Sequence, residues 1–250
     1  MLPSLNIDGH VATLTLLRPA AANKLTPADL PAIRRHIETV DQTAEALVLV
    51  IRSTGRHFCS GFDISAVASE SQNEGSSFGE MVDAIEGCRA VTIAAVQGGV
   101  YGGATDMVLA CDFRVGCEAT QMFMPAARLG LHYYQSGMER YVSRLGVDTA
   151  KRLFLTAETL DAAAMRACGF LTHLVDSTVF DQEVQRLATT LGTMAPIAML
   201  GMKKHLNRIA RGRADAAAIR ADVERSLVSE DLAEGGRAWQ EKRPPVFKGR

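Results

Sequence analysis

The sequence predicts an α/β fold. Two short apolar runs, 47–51 and 91–96, have the length and β-branched content of buried strands. Each run is followed by a glycine-centred turn, and a helical pattern follows each turn. Strand patterns crowd the first half of the chain, whereas the second half is mainly helical. Two strand-and-helix passages in series permit a repeating ββα architecture without establishing one.

The first predicted elements are a hairpin and an amphipathic helix. Residues 5–16 alternate apolar and polar side chains around Asp8-Gly9, which predicts a β-hairpin with a tight turn. Thr26, Pro27 and Asp29 then form a helix-start pattern: a cap, a proline in the first turn and an acid three residues after the cap. The apolar face of this predicted helix consists of Leu30, Ile33, Ile37 and Val40.

The remaining patterns predict alternating elements and then a helical tail. The polar stretch 69–77 is typical of a mobile surface segment, which would suit a loop that admits substrate. The other predictions are a helix over 78–88, a helix beginning within 105–110, strands over 113–115 and 121–124, and helices over 137–145, 149–155, 162–168, 180–193, 197–211 and 215–233.

The composition is that of one globular core that binds small molecules. The 250 residues include 47% hydrophobic and 22% charged side chains, with no long polar linker. A formal net charge of −1 gives no field to attract nucleic acid or an anionic bilayer. No apolar run is long enough to cross a membrane, and residues 1–10 lack an export pattern. We therefore expect neither nucleic-acid nor membrane binding.

The cysteines favour a reducing compartment. They lack the spacing of a disulfide framework or a zinc site, and they are Cys59, Cys88, Cys111, Cys117 and Cys168. We therefore predict a cytoplasmic protein without a metal centre. The glycine run 98–103 matches neither a dinucleotide-binding nor a phosphate-binding motif, so no nucleotide cofactor is expected.

Two glycine-centred turns carry the strongest indication of function. They are Cys59-Ser60-Gly61-Phe62-Asp63 and the segment 98–103, Gly-Gly-Val-Tyr-Gly-Gly. Glycine permits backbone conformations closed to other residues and lets amide N–H groups approach a ligand closely. Two such amides aimed at one carbonyl oxygen stabilise an enolate or a tetrahedral anion. The turns therefore predict an oxyanion hole and thioester chemistry.

Five segments, taken in order, resemble the crotonase superfamily, which includes enoyl-CoA hydratase. They are Arg18-Pro19 with Asn23, residues 58–64, residues 98–103, Cys111-Asp112 and the closing segment 242–250. Each segment alone is a weak signal. Their order, spacing and positions at strand ends are together specific for the superfamily, though not for one reaction. The likeness covers nearly the whole chain.

The resemblance implies a spiral of ββα units followed by a helical C-terminal region that builds trimers, often paired as hexamers. Residues 1–195 would form the core with an acyl-CoA site. Residues 196–250 would pack on that core and on neighbouring subunits. We therefore expect a homotrimer or homohexamer that binds an acyl-CoA thioester, with coenzyme A as part of the substrate and no separate cofactor.

The resemblance also implies roles for individual residues. In the family, the amides at the positions of Phe62 and Gly103 bind the thioester oxygen, and a carboxylate at the position of Asp106 handles protons. The implied substrate contacts are Lys24, Ser60, Asp63, Ile64, Tyr101, Gly102, Pro125 and Ala126. Phe247 and Lys248 would contribute to the pocket that binds the adenine of CoA in a neighbouring subunit.

The catalytic acids depart from the hydratase pattern. Hydratases carry one glutamate at the position of Asp106 and a second at the position of Ala126, directly after the proline that Pro125 matches. Here the second carboxylate is missing, and the first side chain is one methylene shorter, about 1.5 Å. A general acid or base contributes about 10²- to 10⁴-fold, so hydration should be slow while enolate stabilisation persists. An enzyme of the enoyl-CoA hydratase/isomerase type is the leading hypothesis.

Two other functions stay open. His132 and Tyr133 lie where decarboxylase or hydrolase members of the family place alternative catalytic groups, and Tyr133 is the stronger candidate. A protein that binds acyl-CoA without catalysis is the third hypothesis, because Ala126 removes one acid of the pair. The products formed from different CoA esters distinguish the three.

Several candidate residues also have a structural interpretation. Asp106 has the position of an acid in the first turn of a helix, where it interacts favourably with the helix dipole. The aromatic residues within 132–134 are of a type enriched at subunit contacts. Lys203 and Lys204 are either ligands of the CoA phosphates or solvated charges on a helix.

Overall fold

A six-stranded sheet forms the centre of the computed structural model, which describes residues 1–63, 65 and 78–250. Its strands are β1 Ser4–Asp8, β2 Val11–Leu16, β3 Val48–Ser53, β4 Val91–Val96, β6 Phe113–Cys117 and β9 His173–Val175. The spatial order is β1-β2-β3-β4-β6-β9, with β1 antiparallel to β2 and every later pair parallel. The predicted hairpin and both predicted buried strands are confirmed.

A smaller sheet lies at the second glycine turn. It consists of β5 Gly99–Tyr101, β7 Gln121–Phe123 and β8 Leu160–Asp161, with β5 parallel to β7 and β7 antiparallel to β8. Half of the glycine segment is therefore a strand, where the sequence predicts only a turn. The segment is extended because it pairs on two sides. On one side it pairs with β7, and on the other it pairs with the first glycine-centred turn, where Tyr101 N–H donates to Cys59 O at 3.0 Å.

The described residues form α-helices close to the predicted positions. They are α1 Asp29–Gln42, α2 Phe78–Gly87, α3 Gly103–Ala110, α4 Gln135–Leu145, α5 Val147–Thr156, α6 Ala162–Ala167, α7 Phe180–Gly192, α8 Pro196–Ala210, α9 Ala216–Leu227 and α10 Glu230–Glu241. Pro19–Ala21 and Ala126–Leu129 are 3₁₀ helices. The polar stretch 69–77 lies outside the described residues, so the loop that admits substrate stays a prediction.

Two helix boundaries differ from the predictions for local reasons. Helix α1 begins at Asp29, two residues after the predicted first position Pro27, and a turn precedes it in which Asp29 N–H donates to Thr26 O while the Asp29 carboxylate accepts from the N–H and the hydroxyl of Thr26. The single helix predicted over 215–233 is two helices, α9 and α10. Ser229 separates them, since its hydroxyl accepts from Leu232 N–H at 3.1 Å and caps the new helix.

The core has two parts, one on each face of the large sheet. Successive side chains of β3 and β4 point to opposite faces of the sheet and so belong alternately to the two parts of the core. Those packed with α1, α2 and α3 are Leu49, Ile51, Ala94 and Val96, and those packed with α7 are Val48, Val50, Ile93 and Ala95. All of them are at most 4% exposed. A strand covered on both faces is apolar at consecutive positions, which is why these two strands are recognisable in the sequence.

Helix α8 is joined to the core by a buried ion pair. The Lys203 ammonium is 2.8 Å from the Asp112 carboxylate and also donates to Ala90 O, with 9% of the residue exposed. Lys203 is therefore neither a solvated charge nor free to bind a CoA phosphate, and both sequence interpretations of it are wrong. Lys204 pairs with Asp222 at 2.5 Å on the surface.

The C-terminal helices present an apolar surface. The exposed apolar residues of α8 to α10 are Met202, Leu206, Ile209, Val223, Leu227, Leu232 and Trp239, and Trp239 is 86% exposed. Among the described residues, no helix is both long enough and apolar enough to span a bilayer. Helix α8 begins at the predicted boundary between core and helical region, but the separate role of residues 196–250 in assembly stays a prediction.

Candidate active site

The two glycine-centred turns lie side by side. Phe58 N–H donates to Gly99 O at 2.9 Å, and Cys59 forms a parallel bridge with Val100. A methyl group placed on Gly61 would lie 2.7 Å from Tyr101 O and 3.3 Å from the Gly103 nitrogen. Gly61 also has φ +96°, in the left-handed region that favours glycine. The sequence needs glycine here because the second turn lies directly against the first.

Two amides at this junction have no backbone acceptor in the part of the chain that the structure describes. The bridge between Leu25 and Phe62 uses Gly61 O and Asp63 N–H, at 2.9 and 2.8 Å, and leaves Phe62 N–H unused. Gly103 is the first residue of α3, where a helix has no partner for its N–H groups. Neither N–H has a hydrogen-bond acceptor among residues 1–63, 65 and 78–250. Both predicted donors are thus available to a ligand.

The start of α3 is packed tightly beneath an aromatic ring. A methyl group on Gly103 would lie 2.8 Å from the Phe78 ring, so only glycine fits below it. Gly102 has φ +56°, and its N–H donates to Phe123 O at 3.0 Å. These contacts fix the direction of the helix N-terminus. A helix N-terminus carries a partial positive charge, which favours an anionic ligand group.

Asp106 lies one turn further along α3 and is fully buried. Its Oδ2 accepts a hydrogen bond from the Tyr134 hydroxyl and another from Arg140 Nη1 at 2.8 Å. Its Oδ1 is buried and has no hydrogen-bond partner among the described residues. One carboxylate oxygen therefore has two donors, and the other is buried without a donor among the described residues. The predicted proton-transfer residue is built into a network and is more than a favourable charge in a first helical turn.

The protonation states of this network follow from burial and charge. Burial raises the pKa of Asp106, while the charge of Arg140 and the hydrogen bonds from Tyr134 and Arg140 oppose that rise. Burial disfavours charge on Arg140 as well, but the carboxylates of Asp106 and Glu86 hold the pKa of Arg140 above its ordinary value. Burial and the charge of Asp106 raise the pKa of Tyr134, so its hydroxyl stays a donor.

Arg140 connects Asp106 to helix α2. Its fully buried guanidinium is 2.5 Å from Asp83 and 3.3 Å from Glu86, in addition to Asp106. Glu86 in turn pairs with Arg211, beyond α8, at 2.6 Å. Unpaired buried charges are costly, so these partners are needed to keep Arg140 inside the protein.

The segment before α4 places its two tyrosines differently. Tyr134 contacts Asp106, whereas the Tyr133 hydroxyl reaches only the Tyr134 hydroxyl, at 3.5 Å. The Tyr133 ring packs between Tyr134 and Phe154, at centroid distances of 4.5 and 5.1 Å. His132 is exposed, and its Nδ1 lies 2.8 Å from Tyr133 O. The tyrosine that contacts the carboxylate is therefore Tyr134, the neighbour of the predicted Tyr133, whose catalytic role stays a prediction.

The position of the missing glutamate lies close to the second turn. Pro125 Cδ is 4.0 Å from a methyl group placed on Gly102. Ala126 is 5% exposed and begins the 3₁₀ helix Ala126–Leu129. Its methyl side chain brings no ionisable group to this wall of the site. The alignment of Ala126 with a hydratase glutamate and the substrate contacts assigned to Pro125 and Ala126 stay predictions.

The other predicted substrate contacts surround the first turn. Lys24 pairs with Asp63 at 2.7 Å, and this pairing, with a hydrogen bond from Ser65, lowers the pKa of Asp63. Ser60 N–H donates to Ala22 O at 2.9 Å. Ile64 lies outside the described residues, so its contact stays a prediction.

Tyr101 and the C-terminal residues have their own partners. The Tyr101 hydroxyl accepts from Gln121 Nε2 at 2.7 Å, and its ring packs on Phe123. Lys248 N–H donates to Asp231 at 2.7 Å, which folds the C-terminal segment back onto α10. Adenine binding by Phe247 or Lys248 in a neighbouring subunit stays a prediction.

Sequence reasoning missed Arg140 and Phe78 as site residues, and it included Tyr134 among the candidate aromatic residues of 132–134 but chose Tyr133. No local pattern marks them, since Arg140 is separated from Asp106 by 34 residues. The one available signal is a charge that falls among apolar positions of an amphipathic helix. Arg140 occupies such a position in α4, beside the buried Gly137 and Tyr141. Within the residues that the structure describes, no group of His, Cys, Asp and Glu has the arrangement of a metal site.

The fold defines the class of protein. A crystal structure of an enoyl-CoA hydratase/isomerase family member matches with a TM-score of 0.92 at 27% sequence identity, over 100% of this chain and 98% of that chain. The match confirms the predicted α/β fold as that of the crotonase superfamily, including its C-terminal helices.

The sequence comparison defines the family. The sequence model described as enoyl-CoA hydratase/isomerase matches residues 6–250, and the chain belongs to this family of acyl-CoA-handling enzymes. The peroxisomal Δ(3,5)-Δ(2,4)-dienoyl-CoA isomerase of Arabidopsis thaliana is 27% identical over 264 residues, covering 97% of this chain and 94% of its own. An enoyl-CoA isomerase/hydratase of Mycosarcoma maydis is 29% identical over 260 residues, covering 95% of this chain and 92% of its own.

Proposed function

We propose that this protein binds an enoyl-CoA thioester and shifts its double bond along the acyl chain. The amides of Phe62 and Gly103 would hold the thioester oxygen, and Asp106 would move the proton. The observation that carries the proposal is the contact between the turns, with Gly61 against the Gly103 nitrogen, followed one helical turn later by a carboxylate whose Oδ1 has no hydrogen-bond partner among the described residues.

The amides supply the electrostatic part of the mechanism. An enolate forms when the thioester oxygen gains negative charge, and a donor in place stabilises that charge without reorganisation. Removing one such donor typically costs about 2.7–4 kcal/mol of barrier. The free N–H groups of Phe62 and Gly103, together with the positive end of α3, fit this requirement.

Asp106 supplies the proton transfer. Its Oδ1 takes a proton from the carbon next to the thioester of a 3-enoyl substrate, and the electron pair of that C–H bond moves into a dienolate on the thioester oxygen. The same carboxyl then returns the proton to the carbon two positions further along. The double bond moves to the 2-position, no atom is gained or lost, and no co-reactant is needed.

Hydration would need a second group to activate water. A general acid or base contributes about 10²- to 10⁴-fold, and Ala126 contributes none. One carboxylate suffices for isomerisation because the proton it accepts is the proton it returns. This difference favours isomerisation over water addition. Of the two relatives reported above, one is named an isomerase and the other an isomerase/hydratase, so isomerisation is a reaction of related proteins.

The experiment that tests the proposal offers the protein a panel of CoA esters. The panel contains 3-enoyl-, 2-enoyl-, malonyl-type and 3-hydroxyacyl-CoA, and products are followed by chromatography with mass spectrometry. We expect conversion of 3-enoyl- to 2-enoyl-CoA without a change of mass, and little deuterium in the product formed in D₂O, because the buried carboxyl returns the proton that it took. Asp106→Asn should reduce this rate by about 10²- to 10⁴-fold while binding persists.

Other products would identify the alternatives. Loss of carbon dioxide from the malonyl-type ester would identify a decarboxylase, and release of free CoA a hydrolase, with Tyr133 or His132 as the group to substitute. Binding without turnover of any ester would identify the non-catalytic binder. Water addition faster than isomerisation would reject the one-acid mechanism.

The proposal includes a homotrimer, or a hexamer of two trimers, in the cytoplasm. The exposed apolar residues of α8 to α10 support assembly, because large exposed apolar patches usually mark interaction surfaces. Light scattering coupled to size-exclusion chromatography tests the assembly. A monomer at micromolar concentration would reject it.

A further inference from the structure

We propose that Tyr134 and Arg140 are positioning residues, which bind one oxygen of the Asp106 carboxylate so that the other oxygen, Oδ1, alone accepts the substrate proton. This inference rests on the proposed isomerase function and assigns the geometry of its base. Neither residue needs to touch the substrate for this role.

The first step of the argument is the asymmetry of the carboxylate. Oδ2 has two donors, the Tyr134 hydroxyl and Arg140 Nη1, whereas Oδ1 has none among the described residues. Buried polar atoms in native proteins nearly always have a hydrogen-bond partner, and an exception calls for an explanation. A place reserved for an incoming proton explains why this oxygen lacks a donor among the described residues, on the helix that begins at Gly103.

The second step is the rigidity of Tyr134. Its ring stacks on Tyr133 with centroids 4.5 Å apart and meets the edge of Phe78 at 6.3 Å. A methyl group on Gly79 would lie 3.0 Å from the Tyr134 ring, so α2 closes the third side. A ring held on three sides keeps its hydroxyl at a fixed point. The hydroxyl therefore fixes the rotation of the Asp106 carboxylate.

The third step concerns the strength of the base. A guanidinium that paired with Asp106 alone would make Asp106 a weak base, because an adjacent positive charge stabilises the carboxylate. Arg140 instead shares its charge with Asp83 and Glu86. The titratable and charged groups around the carboxylate are Asp83 and Glu86 of α2, Tyr133 and Tyr134 before α4, Arg140 and Tyr141 of α4, and Arg211 behind Glu86.

Tyr134→Phe is the decisive variant, because it removes the hydroxyl and keeps every ring contact. The matched control is Tyr141→Phe, whose buried hydroxyl binds Thr105 on the same helix as Asp106, at 2.5 Å. We expect Tyr134→Phe to lower kcat for isomerisation by about 10- to 100-fold, as for a small misplacement of a catalytic group, with KM unchanged. The control should retain kcat within about 3-fold.

The pH profile separates positioning from a merely structural effect. The lost hydrogen bond stabilised the charged form of Asp106, so its removal raises the pKa of the carboxyl. The acidic limb of the kcat/KM profile should therefore move to higher pH in Tyr134→Phe and stay in place in the control. A rise in KM with unchanged kcat, or equal losses in both variants, would overturn the proposal.

A second measurement does not depend on turnover. The infrared carbonyl band of protonated Asp106, identified by difference from Asp106→Asn, gives the titration midpoint of the carboxyl in each variant. We expect the midpoint to rise in Tyr134→Phe, and an unchanged midpoint would overturn the assignment even in an inactive protein. If the wild type isomerises no ester but the midpoint moves as expected, the proposed function fails and the positioning role stands.

Discussion

The candidate site has two halves, one formed by backbone N–H groups of the glycine turns and the other by the side chains around Asp106. The glycine turns provide backbone N–H groups, whose placement depends on the close approach of the backbone at Gly61 and on the Phe78 ring that covers Gly103. The Asp106 region provides side chains from separate helices, each of which needs the others. Nearly any residue type can supply a backbone N–H, whereas a side-chain network changes its chemistry with one substitution.

Arg140→Ala removes the guanidinium from the side-chain half and is expected to have the largest effect of the changes considered, a loss of folding stability. It leaves the carboxylates of Asp106 and Glu86 buried without their guanidinium, and breaking a buried pair typically costs about 3–5 kcal/mol. Urea unfolding followed by circular dichroism measures the loss. Arg144→Ala is the control, because that arginine is further from Glu86, at 3.6 Å, and should cost much less. Equal losses would show that Arg140 has no special place in the network.

Phe62→Pro tests the backbone half alone. Proline removes the N–H but keeps the flanking hydrogen bonds through Gly61 O and Asp63 N–H. The control Phe62→Ala removes the same ring and keeps the amide. We expect kcat for Phe62→Pro to be about 10²- to 10³-fold below that of Phe62→Ala, as for other oxyanion donors. Similar kcat values in two folded variants would exclude the Phe62 amide from the mechanism.

Ala126→Glu sharpens the comparison by adding the acid that the side-chain half lacks. A carboxyl beside the second turn should raise the hydration rate of 2-enoyl-CoA by on the order of 10-fold, less than the full contribution of an evolved acid or base. Ala126→Gln has the same size without the acid and should give no gain. The rates follow from the loss of enoyl absorbance. No gain in a folded Ala126→Glu variant would contradict the assignment of position 126.

The pH dependence of the wild type is the smallest effect. Burial raises the pKa of Asp106, and only the ionised carboxylate accepts a proton. As the pH falls through that raised pKa, kcat/KM for isomerisation should fall, at a pH above the ordinary aspartate value of about 3.9. Initial rates across the acidic range at constant ionic strength measure this limb. A limb at or below the ordinary value would mean that Arg140 outweighs burial.

Sequence could predict the parts of the molecule that depend on local pattern. The strands 91–96 and 48–53 are apolar on both faces, and the glycines mark the turns, so the fold and the oxyanion candidates were accessible. The division of the last predicted helix at Ser229 depends on a single cap. The pairing of Asp106 with Tyr134 depends on how α3 and α4 cross, which no local pattern specifies.

The buried Lys203 has a practical consequence for truncation. A chain cut at residue 195 would leave Asp112 and Ala90 O without the ammonium that binds them, and Glu86 without Arg211. Such a fragment would lose two anchors that tie α8 to the strands and helices of the N-terminal part. Protein engineers who wish to isolate a minimal catalytic unit should therefore retain the chain at least through Arg211.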